Sequence, residues 1–207
     1  MQTLVKPVEL SLCGVRLEPL GSQHRDGLAA AVQDGKLWEL IVTSAPSPEQ
    51  VQDYIDTALM MSNRFAFAVI DETTGKVLGS TSYHDIIDGI KRVEIGYTWY
   101  AKSAQKTHVN TACKVMLLTH AFETLGCPVV GWRTDILNIN SQRAIERLGA
   151  KKDGILRHHA LRKDGSVRDT VAYSMLADEW QLHKPRLMAR LNRDAQYDQS
   201  HGVGKLA

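Results

Sequence analysis

The sequence predicts one α/β (α+β) domain, a mixed central β-sheet flanked by helices. Three observations lead there. Along the chain the apolar period switches between two and three-to-four residues, in the order β-α-α-β-β-β-α-β-α-β-β-α. Three consecutive strand-like runs between Arg64 and Tyr100 read as an antiparallel meander. The 207 residues, 43% hydrophobic and 23% charged, are globular in composition. A chain of this length buries roughly 70% of its unfolded surface, so one core needs no metal or disulfide staple. Residues 8–193 are assigned to the domain and residues 194–207 to a flexible C-terminal tail.

Each element has its own local signal. Val8 to Leu20 alternates loosely and closes at Pro19, a strand entering a turn. Ser22 then caps a first helix carrying Leu28, Ala31, Val32 and Leu37 at helical spacing. Ser47-Pro48-Glu49-Gln50 is a capping box with Pro at the first helical position, opening a second helix over 48–62. RFAFAVI from Arg64 and KVLGSTSYH from Lys76 form a hairpin through Thr73-Thr74-Gly75, and RVEIGYTWY from Arg92 adds the third strand. Between Thr107 and Leu125 the apolar residues recur every three or four positions and Gly126 stands where a helix C-terminal glycine belongs. PVVGW from Pro128 is a short buried strand, and Ser141 to Leu148 is a helix ending at Gly149. ILRHHALR and SVRDTVAYSML pair through Asp164-Gly165. A last helix from about Ala177 to Asn192 buries Trp180 and Leu187, and the polar stretch from Ala195 has too little apolar surface to order itself.

Charge and cysteine usage exclude several classes. With 25 Lys+Arg against 23 Asp+Glu, a net charge of +2 spread over the chain cannot supply a basic face for a phosphate backbone, so no nucleic-acid partner is expected. Cys13, Cys113 and Cys127 are widely spaced without a CxxC pair, which argues against a disulfide framework and a thiolate zinc site and suits a reducing cytoplasm. His158-His159 has no third ligand at metal spacing, so no metal is expected. No run of 18 apolar residues occurs, and the opening Met1-Gln-Thr-Leu-Val-Lys-Pro lacks the pattern of a leader; the expectation is a cytoplasmic protein with no membrane partner. Neither GxxxxGK[ST] nor GxGxxG is present.

The strand-to-helix junction YAKSAQKTHVN, Tyr100 to Asn110, is where phosphate chemistry fits. A helix N-terminus offers about four unpaired N–H groups and partial positive charge, with Lys102 and Lys106 beside it. This junction belongs to VEIGYTWYAKSAQKTHVNTACKVMLLTHAFE (Val93 to Glu123). With TDILNINSQRAIERLGAKKDGILR (Thr134 to Arg157) and KDGSVRDTVAYSML (Lys163 to Leu176), it resembles the GNAT (Gcn5-related) N-acetyltransferases, in the branch of the ribosomal-protein-alanine N-acetyltransferases. The resemblance runs from about Cys13 to Trp180. The family motif Q/R-x-x-G-x-G/A falls on Gln105-Lys106-Thr107-His108-Val109-Asn110, with His108 and Asn110 where glycines usually let the backbone approach the pyrophosphate. N-x-x-S falls on Asn138 and Ser141, followed by Gly149-Ala150 where relatives often have G-F.

The resemblance implies an acetyl-CoA-dependent N-acetyltransferase, with acetyl-CoA as cosubstrate. The acetyl group moves to an amine-bearing acceptor, a small molecule or a protein N-terminus, by direct attack in a ternary complex. It further implies that the strand Val93–Tyr100 splays at a bulge, for which Gly96 is suited, and that Thr98, Trp99 and Tyr100 contact pantetheine and acetyl group mainly through backbone, one N–H serving the oxyanion. Gln105, Lys106, Thr107, His108, Val109 and Asn110 bind the cosubstrate, Asn138 its arm, Arg143 its phosphates, and Ser141 hydrogen-bonds the departing thiolate. The family tyrosine acid has no counterpart in SQRAIERLGA. Glu94, a carboxylate in an apolar and aromatic run, is the candidate base; its alternative is a structural pairing with Lys91 or Arg92. Capping is the alternative for Asn138 and Ser141, and His84 and His159 are secondary candidates for the base. The 23–55 region with Trp38 and the hairpin Arg157 to Met175, carrying Arg168 and Asp169, shape the acceptor pocket. The alternative function is a catalytically silent acyl-CoA-binding module, motivated by the altered loop and the absent tyrosine. A homodimer is the expected oligomer.

Overall fold

The computed structural model describes residues 3–201. Eight strands form one sheet: β1 (Leu10–Leu12), β2 (Val15–Pro19), β3 (Phe65–Asp71), β4 (Val77–Ile87), β5 (Arg92–Tyr100), β6 (Val129–Asp135), β7 (Lys151–Leu161) and β8 (Val167–Leu176). Their spatial order is β1-β2-β3-β4-β5-β6-β8-β7. Neighbours are antiparallel except β5 and β6, which are parallel, so the sheet is mixed as expected. α1 (Arg25–Gln33) and α2 (Val51–Met60) separate β2 from β3; α3 (Val109–Thr119) joins β5 to β6, α4 (Ile139–Leu148) joins β6 to β7, and α5 (Ala177–His201) follows β8.

Two sequence expectations are corrected. The stretch Val8 to Leu20 is two strands, because Cys13 (φ 52°) and Gly14 (φ 75°) are both left-handed and close a two-residue hairpin between Leu12 and Val15. The observed order is therefore β-β-α-α-β-β-β-α-β-α-β-β-α. Cys-Gly lacks the Asn or Asp that usually marks such a turn. The tail expected from residue 194 is helical as far as His201, while 202–207 lie outside the described residues. Its burial explains this: Ala195 is 5% and Asp198 7% exposed, packed on distant parts of the chain.

Alternation along β3 divides the core into two layers. Phe67 and Val69 point toward α3 and α5, where they join Leu117, Trp132 and Trp180. Ala66, Ala68 and Ile70 point to the other side, where α1 and α2 contribute Leu28, Val32, Val51 and Ile55. Period-two sequence and a sheet covered on both faces account for this split. Fully burying each large apolar side chain stabilises the fold by about 1.5–3 kcal/mol.

Candidate active site

β5 and β6 pair only where Arg92–Glu94 meets Val129–Gly131. Beyond Glu94 the pairing ends, and a cleft of about 1060 Å³ has β5 residues Gly96–Thr98 and β6 residues Trp132–Asp135 among its walls. Against β4, β5 also changes register: Ser82 faces Gly96 but Ser80 faces Trp99, so Tyr97 and Thr98 together oppose Thr81. The bulge thus falls directly after Gly96, on a left-handed Tyr97 with φ 49°. Such a conformation costs a non-glycine residue about 1–3 kcal/mol and needs support. Arg64 supplies it: the guanidinium lies 3.8 Å from the Tyr97 ring centroid, while Nε and Nη2 donate to Ser82 Oγ and Tyr54 Oη, both at 3.0 Å. Gly96 is needed for another reason, since a Cβ there would enter the His84 ring.

Beneath the bulge lies a residue that sequence reading missed. Lys114, on α3, is 6% exposed, lines the cleft, and donates from Nζ to Thr98 Oγ1 at 2.8 Å and Thr81 Oγ1 at 3.3 Å. Burial pulls its pKa down to about 8. A signal was available: α3 is apolar on nearly every side, and a helix apolar all round is a buried one, so its only charge must be buried too.

The loop before α3 opens the cleft's other end. Gln105 Nε2 donates to Tyr100 O at 2.9 Å, Thr107 Oγ1 to Ala104 O at 2.7 Å, and Lys106 is left-handed at φ 63°. His108 has φ −66°, an ordinary helical value, so its place needs no glycine for backbone reasons. Its ring turns away from the loop: Nδ1 lies 2.7 Å from Asp198 Oδ2 and Nε2 3.1 Å from Cys13 O. The His108 N–H also donates to Asp198 Oδ2, at 2.8 Å, so a carboxylate from α5 sits on the N-terminus of α3. Gln105, Lys106, Thr107, His108 and Asn110 all line the cleft. Asn138 and Ser141 line it from α4, where Asn138 Oδ1 caps the helix by accepting from Ser141 N at 3.1 Å.

Other residues chosen from the sequence lie elsewhere. Trp99, 3% exposed, packs in the layer beneath α2 and donates from Nε1 to Tyr54 Oη at 3.3 Å; its neighbours Thr98 and Tyr100 are the ones on the cleft. Val109 turns into the core, Arg143 is exposed on α4 outside the cleft lining, and Trp38 packs against the α1–α2 layer. Glu94 borders a second cleft of about 570 Å³ instead of the first. Its Oε2 accepts from Arg133 Nε at 2.7 Å and its Oε1 from Arg92 Nη2 at 3.4 Å; burial raises its pKa and Arg92 opposes that rise. His84 does line the main cleft, and burial, then Arg133, Arg64 and Lys114, hold its pKa down to about 3, so it is neutral. Ligand atoms of His84, Asp85 and Glu94 lie within 4.8 Å of one another, but Arg133 pairs with both carboxylates.

The site thus combines a splayed central strand, a bulge beside the splay and a helix N-terminus on the cleft, and the comparisons supply the class of protein: an acetyltransferase. The family model of the acetyltransferase (GNAT) domain matches residues 15–151, and the chain belongs to that family. A protein from T. thermophilus assigned as an acetyltransferase is 33% identical, with a TM-score of 0.80 over 90% of this chain and 98% of that one. A GCN5-related N-acetyltransferase from Brucella melitensis is 29% identical, with a TM-score of 0.81 over 90% and 86%. Mycobacterium smegmatis RimJ, in complex with CoA-disulfide, is 16% identical and shares the fold alone, with a TM-score of 0.76 over 93% and 98%. Among curated proteins no significant match was found.

Proposed function

We propose that this GNAT acetyltransferase moves an acetyl group from acetyl-CoA to a primary amine by direct attack, with both substrates bound together. The observation that carries the reading is the Tyr97–Thr98 bulge at the point where β5 leaves β6. Past Glu94 the backbone of β5 is out of the ladder with β6, and the bulge against β4 re-aims it there, where its N–H groups can meet a bound thioester and a donor stabilises an oxyanion. Acetyl-CoA supplies the activated acyl group. The chain's residues fit it: the Gln105–Asn110 loop carries the α3 N-terminus for the pyrophosphate, with the His108 ring already turned aside. Asn138 and Ser141 face the arm from α4, Ser141 offering its hydroxyl to the departing thiolate.

The amine must lose a proton during attack. His84 is the neutral group on the cleft wall, but a pKa of about 3 makes it a weak base, suited to orienting the amine rather than retaining its proton. Glu94 has its pKa raised by burial and lies with His84 within the same 4.8 Å cluster; it is the terminal acceptor through a bridging water. Thiol release measured with an amine panel tests the function. Glu94→Gln should lower kcat by about 10²–10⁴-fold with CoA affinity kept. Wild-type turnover in that variant removes Glu94 as base.

One observation favours the silent acyl-CoA-binding reading: the Asp198 carboxylate already occupies the His108 N–H. Tight CoA binding without thiol release from any amine would establish it.

A further inference from the structure

The cleft is lined too by residues 41–44, by His84 and Asp85 near the end of β4, and by the β7–β8 hairpin. Lys163 fastens this hairpin to the loop before α2, donating from Nζ to Ala45 O at 2.5 Å. The acids here already have cations. Asp135 accepts from Arg162 Nε at 2.6 Å and Nη2 at 2.9 Å, and Asp85 and Glu94 pair with Arg133.

Among the cleft's cations that make no ion pair within the described residues, three bear on the acceptor. Lys114 meets only the Thr81 and Thr98 hydroxyls, and Lys163 only a carbonyl. Arg168 is placed most tellingly: it lines the cleft, yet its Nε is buried without any partner. Alternation on β8 sends Val171 and Tyr173 into the core shared with α3, so Arg168 and Thr170 share the opposite face of the strand. A buried guanidinium N–H with no hydrogen-bond partner is costly even with Asp135 near enough to act on its charge, and the planar donors match a carboxylate.

We infer that the acceptor is an amine carrying a carboxylate near the nucleophile, the carboxylate pairing with Arg168 and within reach of Lys163. Polycationic amines are turned away by the same unpaired charges. The inference rests on the reading of the protein as an amine acetyltransferase.

The test compares thiol release for Ala-Asp-Glu-Ala amide, Ala-Gln-Gln-Ala amide, Ala-Lys-Lys-Ala amide, free glutamate and spermidine at low and high salt. The acidic peptide or glutamate should exceed the basic peptide in kcat/KM by about tenfold or more at low salt, the margin narrowing as salt rises. Which of those two is preferred tells a peptide acceptor from a free amino acid. Arg168→Gln should shrink the margin to about threefold or less, Arg168→Lys should retain part of it, and CoA affinity by calorimetry should not move. Faster turnover of spermidine or the basic peptide overturns the inference while leaving acetyl transfer standing. Weakened CoA binding in Arg168→Gln overturns it too, by assigning the charge to the cosubstrate's phosphates. Thiol release from none of the acceptors overturns the transferase reading and the inference with it.

Discussion

Lys114 holds a positive charge in the cleft floor at a cost to the fold. Its pKa falls from 10.5 to about 8 through burial, so at neutral pH the charged form opposes folding by on the order of 3 kcal/mol. Between about pH 8 and 10.5 the unfolded chain binds the extra proton, and this contribution to stability therefore rises with pH. Lys114→Met should be more stable than wild type at pH 7 by an amount that shrinks as pH climbs to about 10. Melting curves of both proteins across that range check it, and a difference independent of pH would show that the lysine is charged and compensated. The same charge beneath Thr98 should support the oxyanion, so the stabilised variant should be the slower enzyme. Residue identities near the cleft were unevenly legible. Gln105–Asn110, Asn138 and Ser141 are pointed to by the resemblance of their stretches to the family's motifs, whereas Lys114 is defined by what α3 packs against, and Glu94 by Arg133 on another strand.

At the scale of elements, α5 and α3 meet where the cosubstrate's phosphates are proposed to lie. Asp198 caps α3 by accepting from the His108 N–H, which a helix N-terminus rewards by roughly 0.3–2 kcal/mol. An anion there also repels phosphate. Asp198→Asn should lower the melting temperature and tighten CoA binding by about threefold or more, read by calorimetry. Weaker CoA binding would mean that Asp198 builds the loop instead of competing for it. The ordering of α5 beyond Asn192 could not be read from its composition, since its last turn is held by a contact spanning 90 residues. The β1–β2 turn was hidden for a smaller reason: cysteine is an uncommon residue at a left-handed turn position.

At the scale of the whole molecule, acid should unfold the protein from well above the carboxylate range. His84 has its pKa lowered from 6.5 to about 3, so between those values the unfolded state binds more protons and stability is lost as pH falls. The contribution is on the order of 2 kcal/mol at about pH 5. Asp135 adds to the loss below about pH 4, its carboxyl held low by Arg162 against the opposing effect of burial. Melting temperature should fall between about pH 7 and 5 in the wild type and less in His84→Gln. Equal falls in the two proteins would place the acid sensitivity elsewhere.

The sequence by itself determined the class of fold, the order of nearly all its elements and the loop at α3's N-terminus. These depend on periodicity, caps and turns, which act over a few residues. No helix among the described residues is long and apolar enough to cross a membrane, as the absence of a long apolar run already implied. Tertiary structure alone decided where the splay opens, which carboxylates are neutralised and which cations remain without a partner. Arg168 is one of several arginines in the sequence, and only the packing of β8 and the claim of Arg162 on Asp135 leave it on the cleft with its Nε lacking a hydrogen-bond partner. Charge compensation is a sum over residues brought together from across the chain, and no local pattern encodes that sum.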